Sequence, residues 1–199
     1  MGPGETPLNN EAAQRRFYDA FWPHMPAVLR TARILCGGNA AEADDLAQEA
    51  MLKAFRAIDQ FREGTDARAW LLTILRHARV DRVRSAASEA GTVSLDALPQ
   101  EPPGSPAADE PRREDVVENP DVVLGEFTDA DVIRALARLP EEIRWTLLLV
   151  DVEQMDHSEA AEVLHVPVGT IKSRAHRGRL MLRDELLPVA KRGRIVRES

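Results

Sequence analysis

The chain of 199 residues carries 33 acidic against 26 basic side chains, a formal net charge of −7, and its hydrophobic content of 44% includes only 5% aromatics. Any core is therefore built mainly from Leu, Val, Ile and Ala, which favours helices, and a single cysteine, Cys36, excludes an internal disulfide and suits a reducing cytoplasm, where it reads as a small buried hydrophobe. No basic stretch followed by an apolar run opens the chain and no run reaches ~18 apolar residues, so neither export nor membrane insertion is expected.

Residues 11–84 read as helices interrupted at Pro23 and Pro26, at Gly37-Gly38 and at Gly64, each of which breaks or caps the pattern. Within them, 43–58 is amphipathic: Leu46, Ala47, Ala50, Ala54, Phe55 and Ile58 turn inward, while Asp44, Asp45, Gln48, Glu49, Leu52 and Arg56 turn outward. Solvation explains the acids, but an outward leucine among them points to a partner. After a glycine-containing loop, Trp70, Leu71, Ile74, Leu75 and Ala78 make a second buried stripe, leaving Arg68, Arg76, Arg79, Arg82 and Arg84 for phosphate. At that spacing Trp70 reads as core before it reads as a base-stacking platform.

From Ser85 to about Thr128 the composition shifts to Pro, Glu, Asp, Ser and Ala, which buries too little apolar surface to offset chain entropy. Residues 86–128 are therefore expected to be a flexible acidic linker. A negative chain is at first sight a poor partner for nucleic acid, since phosphate binding relies on Lys and Arg displacing counterions. The distribution reverses this: residues 86–130 alone carry −9, leaving +2 for the remainder, and residues 166–197 hold 9 Lys and Arg against 2 acids.

Helical periodicity resumes at Asp129 with Val132, Ala135, Leu136 and Leu139. After Pro140 a helix runs from Glu141 to about Val152, its two leading glutamates suited to the positive helix end. Asp156 and Glu159 form a D-x-x-E capping pattern for a short helix ending near Leu164. A turn at His165-Val166-Pro167 leads into 168–182, where Val168, Ile171, Ala175, Gly178 and Leu182 make an inner face. This short helix, tight turn and basic second helix fit a helix-turn-helix, whose second helix reads base edges in the major groove. Thr170, Lys172, Ser173, Arg174 and His176 are the candidate readers, with Arg177 and Arg179 on phosphates. No acid interrupts 170–179, whereas a merely solvated face usually mixes signs.

The stretch AAEVLHVPVGTIKSRAHRGR, with LARLPEEIRWTLLLVDVEQM before it, resembles the C-terminal domain of the sigma-70 family of transcription initiation factors. ADDLAQEAMLKAFRA and FREGTDARAWLLTILRHARVDRVRS resemble that family's second conserved region in its extracytoplasmic-function (ECF) form. The resemblance implies an all-α protein of two small helical domains: region 2 at 11–85, a linker at 86–128, region 4 at 129–187 and a basic tail at 188–199. It implies docking of Asp45, Gln48, Glu49 and Leu52 on the beta-prime clamp helices of core RNA polymerase, and of region 4 on the beta flap. It carries minus-ten promoter contacts to Phe61, Arg62, Trp70, Arg76, His77, Arg79, Asp81, Arg82 and Arg84, and the minus-thirty-five element to Thr170, Lys172, Ser173, Arg174, His176, Arg177 and Arg179. It further implies a cytoplasmic protein with no catalysis, no cofactor and no metal, an anti-sigma partner, and a linker that either threads the polymerase channel or is a solvated spacer. His165 and Gln154 stand where the family often has glycine, His157 where it has an aromatic residue, and His77 where it has asparagine; Leu72 and Arg82 occupy positions often held by tyrosine, which reduces stacking capacity.

Two other classes fit less well. A free-standing helix-turn-helix regulator needs two-fold symmetry to reach adjacent half-sites, no heptad seam supplies it, and ADDLAQEA is left unexplained. For an enzyme, five scattered histidines show no metal-ligand spacing and there is no phosphate loop.

Overall fold

A computed structural model describes residues 11–62, 64–89 and 129–197, and all its regular structure is helical. The first unit comprises α1 (Glu11–Phe21), a 3-10 turn (Trp22–His24) that accommodates Pro23, α2 (Met25–Leu35) with Pro26 in its first turn, α3 (Ala40–Arg56) and α4 (Ala67–Glu89). Asn39 caps α3 by accepting from the Glu42 amide, and Asp66 accepts from the Arg68 and Ala69 amides at the start of α4. Gly37, Gly38 and Gly64 take φ of +61°, +88° and +89°, which accounts for glycine at these breaks.

The core of this unit follows the expected stripes. Leu46, Ala47, Ala50, Ala54 and Ile58 on one side meet Leu71, Leu75 and Ala78 of α4 on the other, all essentially inaccessible. Leu72, at a position often held by tyrosine in the family the sequence resembles, is fully buried. At one end Phe21 stacks on Trp70 with centroids 5.0 Å apart and meets Phe61 edge-on at 4.8 Å, so these three rings of the first unit form one cluster.

The second unit comprises α5 (Asp129–Arg138), α6 (Glu141–Leu147) extended by a π turn (Leu148–Val152), α7 (His157–Leu164) and α8 (Val168–Arg197). The π turn shows in the Glu153 amide donating to the Leu148 carbonyl, and Gln154 follows it at φ +55°. α8 passes through Pro188 to Arg197, so the expected tail is a continuation of the helix that far. Val168, expected inward, is 38% exposed, because it lies in the first turn of α8 before the helix reaches α6; Ile171 and Ala175 are buried as expected.

The two units are packed on one another. α4 lies against α7 and α2 against α5, and the buried side chains of both units form one continuous cluster. The acidic linker expected at 86–128 lies, apart from its first residues in α4, outside the described residues.

Candidate nucleic-acid interface

The helix-turn-helix is built from local rules. Asp156 accepts from the Ser158 and Glu159 amides at 2.7 and 2.8 Å, and Glu159 accepts from the Asp156 amide at 2.9 Å, completing the capping box. α7 ends in His165 at φ +55°, a left-handed residue that glycine would adopt without strain. Pro167 lies immediately before α8. Gly178 seats α8 on α6: a Cβ there would lie 2.8 Å from Ile143 Cγ2 and 3.0 Å from Leu147 Cγ. The seat leaves Lys172, Ser173, His176 and Arg177 exposed and Thr170 half-buried. Arg179 is tied back to Asp151 by two hydrogen bonds of 2.6 and 3.2 Å, so a phosphate has to displace that carboxylate.

On the first unit, Asp45, Gln48 and Leu52 line a groove of about 620 Å³ together with Tyr18, Leu29 and Met51. Leu52 is 46% exposed, as its outward position in the sequence implied. Tyr18 and Trp22 are also large, exposed and 5.5 Å apart, an apolar extension that the sequence reading did not single out. Glu49 is separated from this group. It turns toward α4, where it accepts from Arg82 at 2.7 Å and pairs with Lys53 at 3.1 Å, and Lys53 reaches Asp81 at 2.7 Å. Burial works against charge on Glu49, but the Arg82 and Lys53 hydrogen bonds outweigh it and hold the carboxyl below its ordinary range. The Lys53 hydrogen bond does the same for Asp81. This network ties two residues carried over as DNA contacts to one carried over as a polymerase contact.

Of the remaining candidates on α4 and its approach, Arg62 and Arg84 are exposed. Phe61 is only 9% exposed and Trp70 is stacked on Phe21, so both serve the aromatic core; the loop presents arginine, not an aromatic ring, to solvent. Arg76, His77 and Arg79 face the second unit. His77 is stacked on His165 with centroids 6.3 Å apart, and burial, reinforced by Arg76 and His165, pushes its pKa down. Arg76 is desolvated by burial, its charge helped by Glu141 and opposed by Arg174. The Nε atoms of Arg79 and Arg174 are buried without a hydrogen-bond partner.

Polar contacts that sequence reasoning missed hold the units together. Arg30 of α2 grips Glu153 through two hydrogen bonds of 2.9 Å, Thr31 adds a hydroxyl at 3.4 Å, and Arg68 donates to the Glu153 carbonyl at 2.7 Å. Arg144 donates to the carbonyls of Leu136, Ala137 and Leu139 and, across the junction, to that of Leu35 at 3.4 Å. Gly37 and Gly38 admit α5, with Cβ positions 3.7 Å from Ala137 and 3.4 Å from Ile133. No local pattern announces contacts between residues more than a hundred positions apart. Cys36 is half-buried; burial pushes its thiol pKa up, the direction of an inert side chain. No group of three or more metal-ligating side chains occurs, and no helix is long and apolar enough to cross a membrane, among the described residues.

Family models match both units, sigma-70 region 2 over residues 21–89 and sigma-70 region 4 over residues 129–182. The ECF RNA polymerase sigma factor SigE of Mycolicibacterium smegmatis is 35% identical over 177 residues, covering 89% of this chain and 64% of its own length. SigW of Bacillus subtilis, also an ECF RNA polymerase sigma factor, is 33% identical over 156 residues, covering 75% of this chain and 78% of its own. Among solved structures, the sigma factor RpoE in complex with the anti-sigma factor NepR from Bartonella quintana superposes with a TM-score of 0.64 at 25% identity, covering 85% of this chain and 96% of that one. CnrH, in complex with the cytosolic domain of CnrY, shares the fold with a TM-score of 0.58 at 23% identity.

Proposed function

Since the chain belongs to the sigma-70 family, in its ECF group of RNA polymerase sigma factors that direct transcription initiation at promoters, we propose which of its surfaces perform each step. The groove around Asp45, Gln48 and Leu52 docks on core RNA polymerase, with Tyr18, Trp22 and Leu29 extending the apolar contact and Glu49 acting through its pairing with α4. The first turns of α8, from Thr170 to Arg177, read the minus-thirty-five element in duplex DNA. Arg62, Arg76, His77, Arg79 and Arg84 hold the opened minus-ten strand, the electrostatic part of single-strand binding. Each contact alone is weak, and joining both to one chain makes the second effectively intramolecular.

The observation that carries this reading is the pairing, in one chain, of a capped helix-turn-helix whose second helix is basic and free of acids over 170–179 with an acidic and apolar groove that nucleic acid would not occupy. The chain supplies specificity and no catalytic group, and it acts in the cytoplasm where the polymerase is. An anti-sigma protein holds it inactive, a partner of the same kind as the NepR with which the Bartonella quintana sigma factor RpoE forms its complex. The linker at 86–128 keeps the units within reach of both promoter elements.

In vitro transcription with core polymerase and a randomised promoter library tests the assignment. Selective initiation with a recoverable two-element consensus is expected, and Arg174→Ala should blur the upstream element without preventing core binding. A purified chain that forms no complex with core polymerase would overturn the proposal.

A further inference from the structure

Asp45, Gln48 and Leu52 reach the groove on the first unit, but Glu49, on the same helix, does not line it. Both of its carboxylate oxygens are engaged on the flank that faces α4, Oε1 by Lys53 at 3.1 Å and Oε2 by Arg82 at 2.7 Å. Arg82 is the informative partner. Its Nε is spent on Glu49, while among the described residues its two Nη groups meet no acceptor, and its side chain remains 35% exposed. We infer that Arg82 is a phosphate clamp for the opened minus-ten strand and that Glu49 is its positioning residue, so that α3 serves promoter binding through this carboxylate.

The geometry separates a positioned arginine from one consumed by an ion pair. A guanidinium carries its donors in a rigid plane, so a bond at Nε fixes that plane and leaves the Nη pair for a second acceptor with two oxygens, such as phosphate. Arg179 spends Nε and Nη2 together on Asp151, and Arg30 spends the same two on Glu153, whereas Arg82 gives its carboxylate Nε alone. Lys53 completes the support, because it also donates to Asp81, the residue before Arg82, at 2.7 Å. Two successive α4 side chains are thus held from α3. Arg82 stands where tyrosine is often found in the family, and exchanging a ring for a cation moves the contact from base stacking to the backbone. Holding the side chain in place beforehand removes part of the ordering cost that binding would otherwise carry. The inference rests on the assignment of α4 to the minus-ten strand made above, and its test separates the two.

The test uses core polymerase saturated with the full chain or a variant, so that differences in core affinity drop out. Its probe is a promoter recovered from the library above, fluorescein-labelled and held open by mismatches across the minus-ten region. Arg82→Ala should bind this template about fivefold more weakly and make the slope of log affinity against log salt shallower by about 0.7, the loss of one single-strand phosphate contact. Glu49→Ala removes a negative charge, so electrostatics alone predicts tighter binding; loss of positioning predicts binding roughly two- to tenfold weaker. Glu49→Gln, whose amide oxygen still accepts from Nε, should recover most of that loss. The double variant Glu49→Ala with Arg82→Ala should bind no more weakly than Arg82→Ala alone, because a positioning residue has nothing left to position. A Glu49→Ala holoenzyme that binds as tightly as the wild type or tighter, or losses that add in the double variant, overturns the inference. Arg62→Ala and Arg84→Ala locate such a failure. If they weaken binding while Glu49→Ala does not, positioning alone is wrong; if they too leave binding intact, the assignment of α4 to the opened strand falls with it.

Discussion

Gly178 is where the position of the reading helix is decided, and replacing it by alanine tests the packing directly. In a helix interior Gly→Ala gains about 1 kcal/mol of backbone propensity. Here the new methyl would meet Ile143 Cγ2 at 2.8 Å and Leu147 Cγ at 3.0 Å. Both side chains are at most 2% exposed, so neither can turn toward solvent, and overpacking of this kind costs about 1–3 kcal/mol. With two contacts compressed at once the upper part of that range applies, and a net loss of about 1–2 kcal/mol is expected. Gly169, in the first turns of the same helix, has nothing within 4 Å of its Cβ position, so Gly169→Ala should be neutral or stabilising by up to about 0.5 kcal/mol. Thermal unfolding followed by circular dichroism measures both, and for a chain of this size the Gly178 variant should melt roughly 3–6 °C lower. If Gly178→Ala melts at or above the wild type, as Gly169→Ala should, the close seating of α8 on α6 is wrong.

Removing the capping box by Asp156→Ala should cost about 1 kcal/mol in urea denaturation, because two amides at the start of α7 lose their acceptor; an unchanged midpoint would show that the cap contributes nothing. Leu52→Asp should weaken binding to core polymerase at least about tenfold in a pull-down titration while shifting stability by less than about 0.5 kcal/mol, since the side chain is 46% exposed and replaces no core contact. The junction should also respond to acid. Burial, with Arg76 and His165, lowers the His77 pKa, while Asp81 opposes and Lys53 adds to the effect, so the packed form prefers the neutral ring. Its stabilising contribution is therefore present above the ordinary histidine range near ~6.5 and is lost as pH falls through it, because the separated form takes up the proton first. Scattering profiles from pH ~8 to ~5.5 should show expansion that His77→Gln reduces; identical acid responses in both proteins would refute the link.

Much of this molecule was legible before folding because it depends on near neighbours. The D-x-x-E cap at 156–159, the strained His165, the inward Leu46, Ala50 and Ala54 and the outward Leu52 follow from helix periodicity and from amides that must be satisfied within a turn. The same local logic misjudged Val168. Which flank of a stripe is covered depends on where the neighbouring helix lies, and Val168 precedes the point where α8 meets α6.

By itself, then, the order of residues determined an all-helical chain with a basic helix-turn-helix and a separate acidic, apolar face, because each of these is a property of a few consecutive turns. Only the tertiary structure decided that Phe61 joins Trp70 in the core, that Glu49 turns to Arg82, and that Arg30 and Glu153 join the two units. Those outcomes depend on how surfaces distant in the chain meet, and an exposed arginine or glutamate carries no local mark of the charge it will find across such a contact.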